Sequence, residues 1–295
     1  MFPPESAAVM RTMKILGGVL ILSLMLAETT LGDIQKRVVG GNTCSPTERR
    51  YHVRLTARNP SAKLEKVCGS SLITNKWLLT AARCWPDGQG WKMYAEVGGH
   101  PGPVKPQVEI KQKTIHRDKK GKTHDIMLLQ LPTPVPGAVP GPGVDPIPLG
   151  DCANMFSKLM GKTLKPKVFQ TVQIAGYVAT PPAAPEAGEP DAEEPAAGEP
   201  AAEAPDAANT KVLHCAELDV MKCDDVSVAK SHQDIFCAQR AGVETCSGDS
   251  GTGVVYKNQL YGVFITEDTG EECSAAALIM DVCKYKVWIN KIIGK

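Results

Sequence analysis

The chain has 295 residues, 43% of them hydrophobic, enough for one large or two small domains with a buried core. Its 33 Lys and Arg almost cancel its 32 Asp and Glu, and a net charge of +1 argues against a dedicated nucleic-acid binder while leaving room for local charged patches.

At the start of the chain, Arg11 and Lys14 precede an apolar run from Ile15 to Leu26, and small or polar residues follow from Ala27 to Gly32. This order predicts a secretory signal peptide over residues 1–32, cut within about 27–32, and hence a secreted, extracellular protein. The run is short for a membrane span, a single anchor being the alternative. Met10 or Met13 would serve equally well as the start. Residues 33–37 then read as a short propeptide ending in Lys36-Arg37, followed by Val38-Val39-Gly40-Gly41.

From Val38 onward the chain is built of short apolar and β-branched runs broken by Gly and Pro, such as Val67–Thr80 and Lys257–Thr266. That pattern predicts many short strands in an all-β barrel or sandwich. Lys111, Lys113, His116, Arg117, Lys119, Lys120 and Lys122 crowd one stretch. It reads as a solvated basic loop or as a site for polyanions or anionic membrane, without the interleaved aromatics that single-stranded nucleic acid would use. Residues 180–210 are dominated by Pro, Ala, Gly and acidic residues, with Ala-Gly-Glu-Pro at 187–190 repeated at 197–200 and neither Lys nor Arg. Such a segment buries too little apolar area to offset its ordering entropy, which predicts a disordered acidic loop, either a tolerated insertion or a tether for a basic surface. Val282–Ile293 is expected to be helical, with Val287, Trp288 and Ile292 on one face.

The ten cysteines form an even set, and with a signal peptide they imply a disulfide framework in an oxidising compartment. No Cys-x-x-Cys pair or paired histidines stand at ligand spacing, so neither a metal nor another cofactor is expected. N-glycosylation is not expected either, since Asn59 is followed by Pro60 and Asn42-Thr43 by Cys44.

Four motifs follow one another in the chain: Arg37-Val38-Val39-Gly40-Gly41, Thr80-Ala81-Ala82-Arg83-Cys84, Asp125-Ile126-Met127-Leu128-Leu129 and Cys246-Ser247-Gly248-Asp249-Ser250-Gly251. In this order the chain from Arg37 to its end resembles the chymotrypsin/trypsin family of serine proteases. The resemblance implies an all-β fold over 38–295: two packed antiparallel six-stranded β-barrels with a C-terminal helix, residues 180–210 being a loop insertion. It also implies the pairs Cys44–Cys215, Cys68–Cys84, Cys152–Cys283, Cys223–Cys237 and Cys246–Cys273. By the same likeness Ser250 is the nucleophile, Asp125 the orienting acid, and the N–H groups of Gly248 and Ser250 the oxyanion hole.

Arg83 stands where the family has its histidine base. A guanidinium has no lone pair to take the serine proton at physiological pH, and its charge should pair with Asp125. His124, next to Asp125, should face the opposite side of its strand and cannot substitute. The resemblance places Glu244 at the floor of the specificity pocket, with Glu267 and Ala277 where the family keeps glycine, so the pocket should be narrowed or blocked. Arg37–Val38 resembles an activation site cut by a trypsin-like protease, Asp249 being the partner of the new amino terminus. The expectation is a secreted, catalytically inactive serine protease homologue that binds proteins of protease cascades or polyanions. The alternative is an active endopeptidase that cleaves after basic residues.

Overall fold

The computed structural model describes residues 40–102, 105–136, 143–152, 165–177, 212–225, 234–265, 273–274 and 276–295. The expected signal peptide, the propeptide, Arg37, Val38, the acidic loop 180–210 and Glu267 lie outside the described residues. All described residues belong to one compact unit, Gln35–Lys295.

The fold is mostly β with one C-terminal helix, as the motifs implied. The first half holds β2 (His52–Asn59), β3 (Leu64–Leu72), β4 (Trp77–Thr80), β5 (Lys92–Val97), β6 (Gln107–Ile110), β7 (Gln112–Arg117) and β8 (Thr123–Gln130), after a short β1 (Asn42–Thr43) that joins the second half. They pair antiparallel in the order β6-β5-β2-β3-β4-β8-β7. Only Lys111 separates β6 from β7, so the two edges of this curled sheet are consecutive in the chain.

The second half holds β9 (Thr171–Tyr177), β10 (Leu213–Met221), β11 (Ile235–Gln239), β13 (Gly253–Tyr256), β14 (Gln259–Ile265) and β16 (Ala276–Asp281). Here the ladder β10-β11-β16-β14-β13-β9 returns to β10, closing a six-stranded barrel. The small β12 (Thr245–Cys246) and β15 (Cys273–Ser274) pair with each other.

Strand periodicity explains where the core sits. Successive side chains point to opposite faces, and in the second barrel both faces are buried. On β16, Ala277 and Ile279 enter the barrel interior with Phe264 and Val254, whereas Leu278 and Met280 join a second cluster with Val263, Ile265 and the first-half residues Val53 and Leu55. Such double burial produces nearly continuous apolar runs in place of alternation.

All five expected disulfides form. Cys44–Cys215 and Cys152–Cys283 close the widest separations, 171 and 131 residues, and each should restrict the unfolded chain by about 4 kcal/mol or more.

The helix α1 spans Val282–Ile293, where the sequence places it. The Asp281 carboxylate accepts from the Cys283 N–H at its start, and Gly294, at φ 79°, ends it in the left-handed conformation that glycine adopts without strain. One correction applies. Val282, Tyr285 and Ile289 form the buried face, whereas Val287 is 84% exposed. Spacings of three and four residues keep the first three on one stripe, and Val287 falls two positions past Tyr285, on the far side.

Candidate functional site

Asp125 lies on β8 between His124 and Ile126. The antiparallel register of β4 and β8 pairs Thr80 with Met127, so the residues leaving β4 run toward Asp125. There the chain makes a single 3₁₀ turn, Ala82–Cys84, with Arg83 in the middle. The Arg83 backbone N–H donates to Asp125 Oδ1 at 2.9 Å, and its side-chain Nε donates to Oδ2 in a close ion pair. One residue thus satisfies both oxygens of the acid. The two side chains are only 19% and 14% exposed, so water screens the pair weakly. Arg83 Nη1 is also buried, with no hydrogen-bond partner among the described residues.

Ser250 follows the 3₁₀ turn Ser247–Asp249 in the second half of the molecule. Backbone contacts carry it across to the first half. The Gly69 N–H of β3 donates to the Ser250 carbonyl at 2.8 Å, and the Gly251 N–H donates to the Phe264 carbonyl of β14, also at 2.8 Å. Gly69 adjoins Cys68, whose disulfide to Cys84 ties down the turn bearing Arg83. The fold therefore gathers Arg83, Asp125 and Ser250 at the seam between the halves. Gly248, Asp249 and Ser250 are all buried, Ser250 with only 1% of its surface exposed. Asp249 accepts from the Cys246 N–H at 2.9 Å.

Gly251 has to be glycine on two counts. Its φ is 85°, and a Cβ there would lie 2.1 Å from Thr80 Oγ1 and 2.3 Å from the Gly69 carbonyl oxygen. The next residue, Thr252, is 2% exposed.

His124 faces away from Asp125, as strand alternation requires. Its Nδ1 lies 2.8 Å from the Tyr285 hydroxyl of α1, and its ring meets that of His116 edge-on at 4.9 Å. Burial, then the neighbouring His124, holds the His116 imidazole below its ordinary pKa of 6.5.

Two of the expected specificity-pocket residues, Glu244 and Ala277, are among the described residues, and their surroundings differ. Glu244 is exposed, because Val243 and Thr245 on either side of it turn inward and a lone carboxylate is cheapest in water. Ala277 is fully buried inside the second barrel, opposite Ala238 in the β11–β16 ladder.

In the basic stretch, Lys111, Arg117, Lys119, Lys120 and Lys122 are exposed on and around the β7–β8 hairpin, whose turn is held by Asp118 accepting from the N–H groups of Lys120 and Lys122. Sequence reasoning missed the role of Lys113. Its Nζ sits 4.2 Å from the centre of the Trp85 ring, two residues from Arg83, and burial lowers its pKa. Nothing in the local sequence signals a pairing of residues so far apart in the chain.

Comparison with known proteins agrees with this architecture. The chain is 27% identical over 278 residues to human kallikrein-8, covering 88% of each chain. It is also 27% identical to the thrombin-like enzyme flavoxobin of Protobothrops flavoviridis, covering 95% of each. Among solved structures, the scabies mite inactivated protease paralogue S-I1 superposes with a TM-score of 0.58 at 22% identity, over 86% of this chain and 99% of that one. Mouse neuropsin gives 0.56 at 24% identity, over 86% and 98%. The family model described as Trypsin matches residues 38–177 and 170–289, and with that span covered the chain belongs to the trypsin family of serine proteases.

Proposed function

We propose that this protein is a secreted trypsin-fold homologue that does not hydrolyse peptide bonds and acts by binding proteins of protease cascades or polyanions. The Arg83–Asp125 ion pair carries the reading. On it, Arg83 takes the place of the family's histidine base. The orienting acid is engaged by a cation that cannot accept a proton, so Arg83 cannot act as the base toward the Ser250 hydroxyl. The near-complete burial of Ser250 points the same way, since a substrate carbonyl has little surface to approach. The scabies mite structure, described as an inactivated protease, is a precedent for this fold persisting without catalysis.

The exposed lysines of the β7–β8 hairpin are the surface for a polyanion. Cleavage at Arg37–Val38 by a trypsin-like protease would supply an amino terminus for Asp249 and switch the conformation of the serine loop without switching on chemistry.

The test is hydrolysis of Arg- and Lys-ester substrates, with labelling by a fluorophosphonate, on protein cleaved at Arg37 beside an Arg83→His variant. The expected outcome is no labelling of the natural protein and measurable labelling of the variant. Turnover by the natural protein at ordinary protease rates, about 1 s⁻¹ or more, would establish the endopeptidase reading instead.

A further inference from the structure

A cleft of about 750 Å³ opens where the ends of β10 and β11 meet the first turn of α1. It shares no lining residue with the Arg83, Asp125 and Ser250 site. Its volume falls in the range of small-molecule sites, about 300–1,000 Å³. Val168, Val220, Met221, Ile235 and Phe236 give it an apolar lining. The disulfides Cys152–Cys283 and Cys223–Cys237 contribute to its walls through Cys152, Cys283 and Cys223, which favours a preformed shape over one made on binding.

The polar lining is unequal in charge. Lys165, Lys167, Lys222 and Lys284 face the cleft against Asp224 and Asp281. Asp281 is already committed, to Lys165 and to the start of the helix. Lys284 reaches Asp234 at 3.7 Å. Lys167, Lys222 and Asp224 are left with no ion pair among the described residues, a surplus of one positive charge. Next to Val168 in the chain, Phe169 is 91% exposed and held at φ 69°, a conformation costly for an aromatic residue. Its N–H donates to the Val220 carbonyl at 2.7 Å and the Gln170 N–H closes a turn on the Lys167 carbonyl at 2.9 Å, so the ring is presented to solvent beside the cleft.

The geometry points to a binding site for a small anionic amphiphile, a long-chain carboxylate or alkyl phosphate, with its tail against Val220, Met221 and Phe236 and its head held by Lys167 and Lys222. Each half of the site argues for the matching half of the ligand. A purely ionic polyanion would leave the apolar lining wet, and a neutral apolar ligand would forgo the charge-assisted hydrogen bonds that two exposed ammonium groups offer.

Calorimetric titration of the full, disulfide-bonded chain with hexadecanoate tests this, with hexadecyl phosphate, octanoate and hexadecyltrimethylammonium as comparisons. Saturable one-to-one binding is expected for hexadecanoate or hexadecyl phosphate, and the stronger of the two identifies the headgroup. Octanoate should bind at least about tenfold more weakly, because less apolar area is buried. The Lys167→Glu, Lys222→Glu double variant, altered only at surface positions, should weaken binding at least about tenfold while keeping the native circular dichroism. Arg83→His should bind as the natural protein does, whichever way its activity falls. The absence of saturable binding, an affinity unchanged by the double variant, or equally tight binding of the cationic amphiphile would each overturn the assignment. So would capture by phosphatidylserine vesicles without binding of either free amphiphile, which would favour a membrane surface.

Discussion

The two sides of the seam are held by different kinds of constraint. On the serine side the fixing elements are backbone: Gly251 sits against the Gly69 carbonyl and Thr80 Oγ1 with no room for a Cβ, and the Ser250 carbonyl is an acceptor for β3. On the acid side, Asp125 is held by the hydrogen bonds it accepts, both of them from Arg83. Backbone packing prescribes one residue type, whereas one carboxylate oxygen takes the backbone N–H of residue 83 and the other is satisfied by any side chain that places an N–H correctly. That difference confines residue 251 to glycine, while the residue facing the acid can be an arginine.

Three measurements would break or sharpen this contrast. The largest effect is expected from Gly251→Ala. The strained φ and two clashes below 2.5 Å should cost about 4 kcal/mol or more, seen as lost folded yield or a sharply lower urea midpoint. A loss below about 1 kcal/mol would show that the loop can shift and that backbone does not fix this side.

A smaller loss, about 2–3 kcal/mol, is expected from Arg83→Ala, because a mostly buried carboxylate is left with the backbone N–H alone. Arg83→His should cost less than Arg83→Ala, since an imidazole N–H can donate to the same oxygen. A double-mutant cycle with Asp125→Ala should return a coupling of about 1–3 kcal/mol, and additivity would mean that the acid is held by something else.

The smallest effect concerns the opposite face of β8, where His116 and His124 pack against Tyr285 and His116 also meets Trp288. Because His116 titrates below 6.5 in the folded protein, the unfolded chain takes up its proton first as pH falls. This contribution to stability is therefore level above about pH 6.5 and declines below it. Urea midpoints measured across that range should show the decline, and His116→Gln should flatten part of it. An unchanged slope would place the acid sensitivity elsewhere.

Much of this was legible from residue identity. The span of α1, Val282–Ile293, and the strand-rich body were legible from residue pattern, and the cystine pairs from the family resemblance that the motifs carry. His124 could be turned away from Asp125 on alternation alone. The orientation of Glu244 was not legible, because a family position says where the backbone runs and not which neighbours turn inward. Val287 was misjudged because a valine is counted as apolar wherever it falls, and only the angular spacing from Tyr285 excludes it from the buried stripe.

The sequence by itself determined the fold class, the disulfide partners that the family resemblance supplies, and the presence of an arginine, an aspartate and a serine in those motifs. These depend on residue type and short-range pattern. Only the tertiary structure decided that Arg83 satisfies both oxygens of Asp125, that Lys113 lies on Trp85, that Glu244 faces water, and that β10, β11 and α1 enclose a lysine-flanked apolar cleft. Each of these is a contact between residues distant in the chain, set by strand register and by how the sheets and the helix converge.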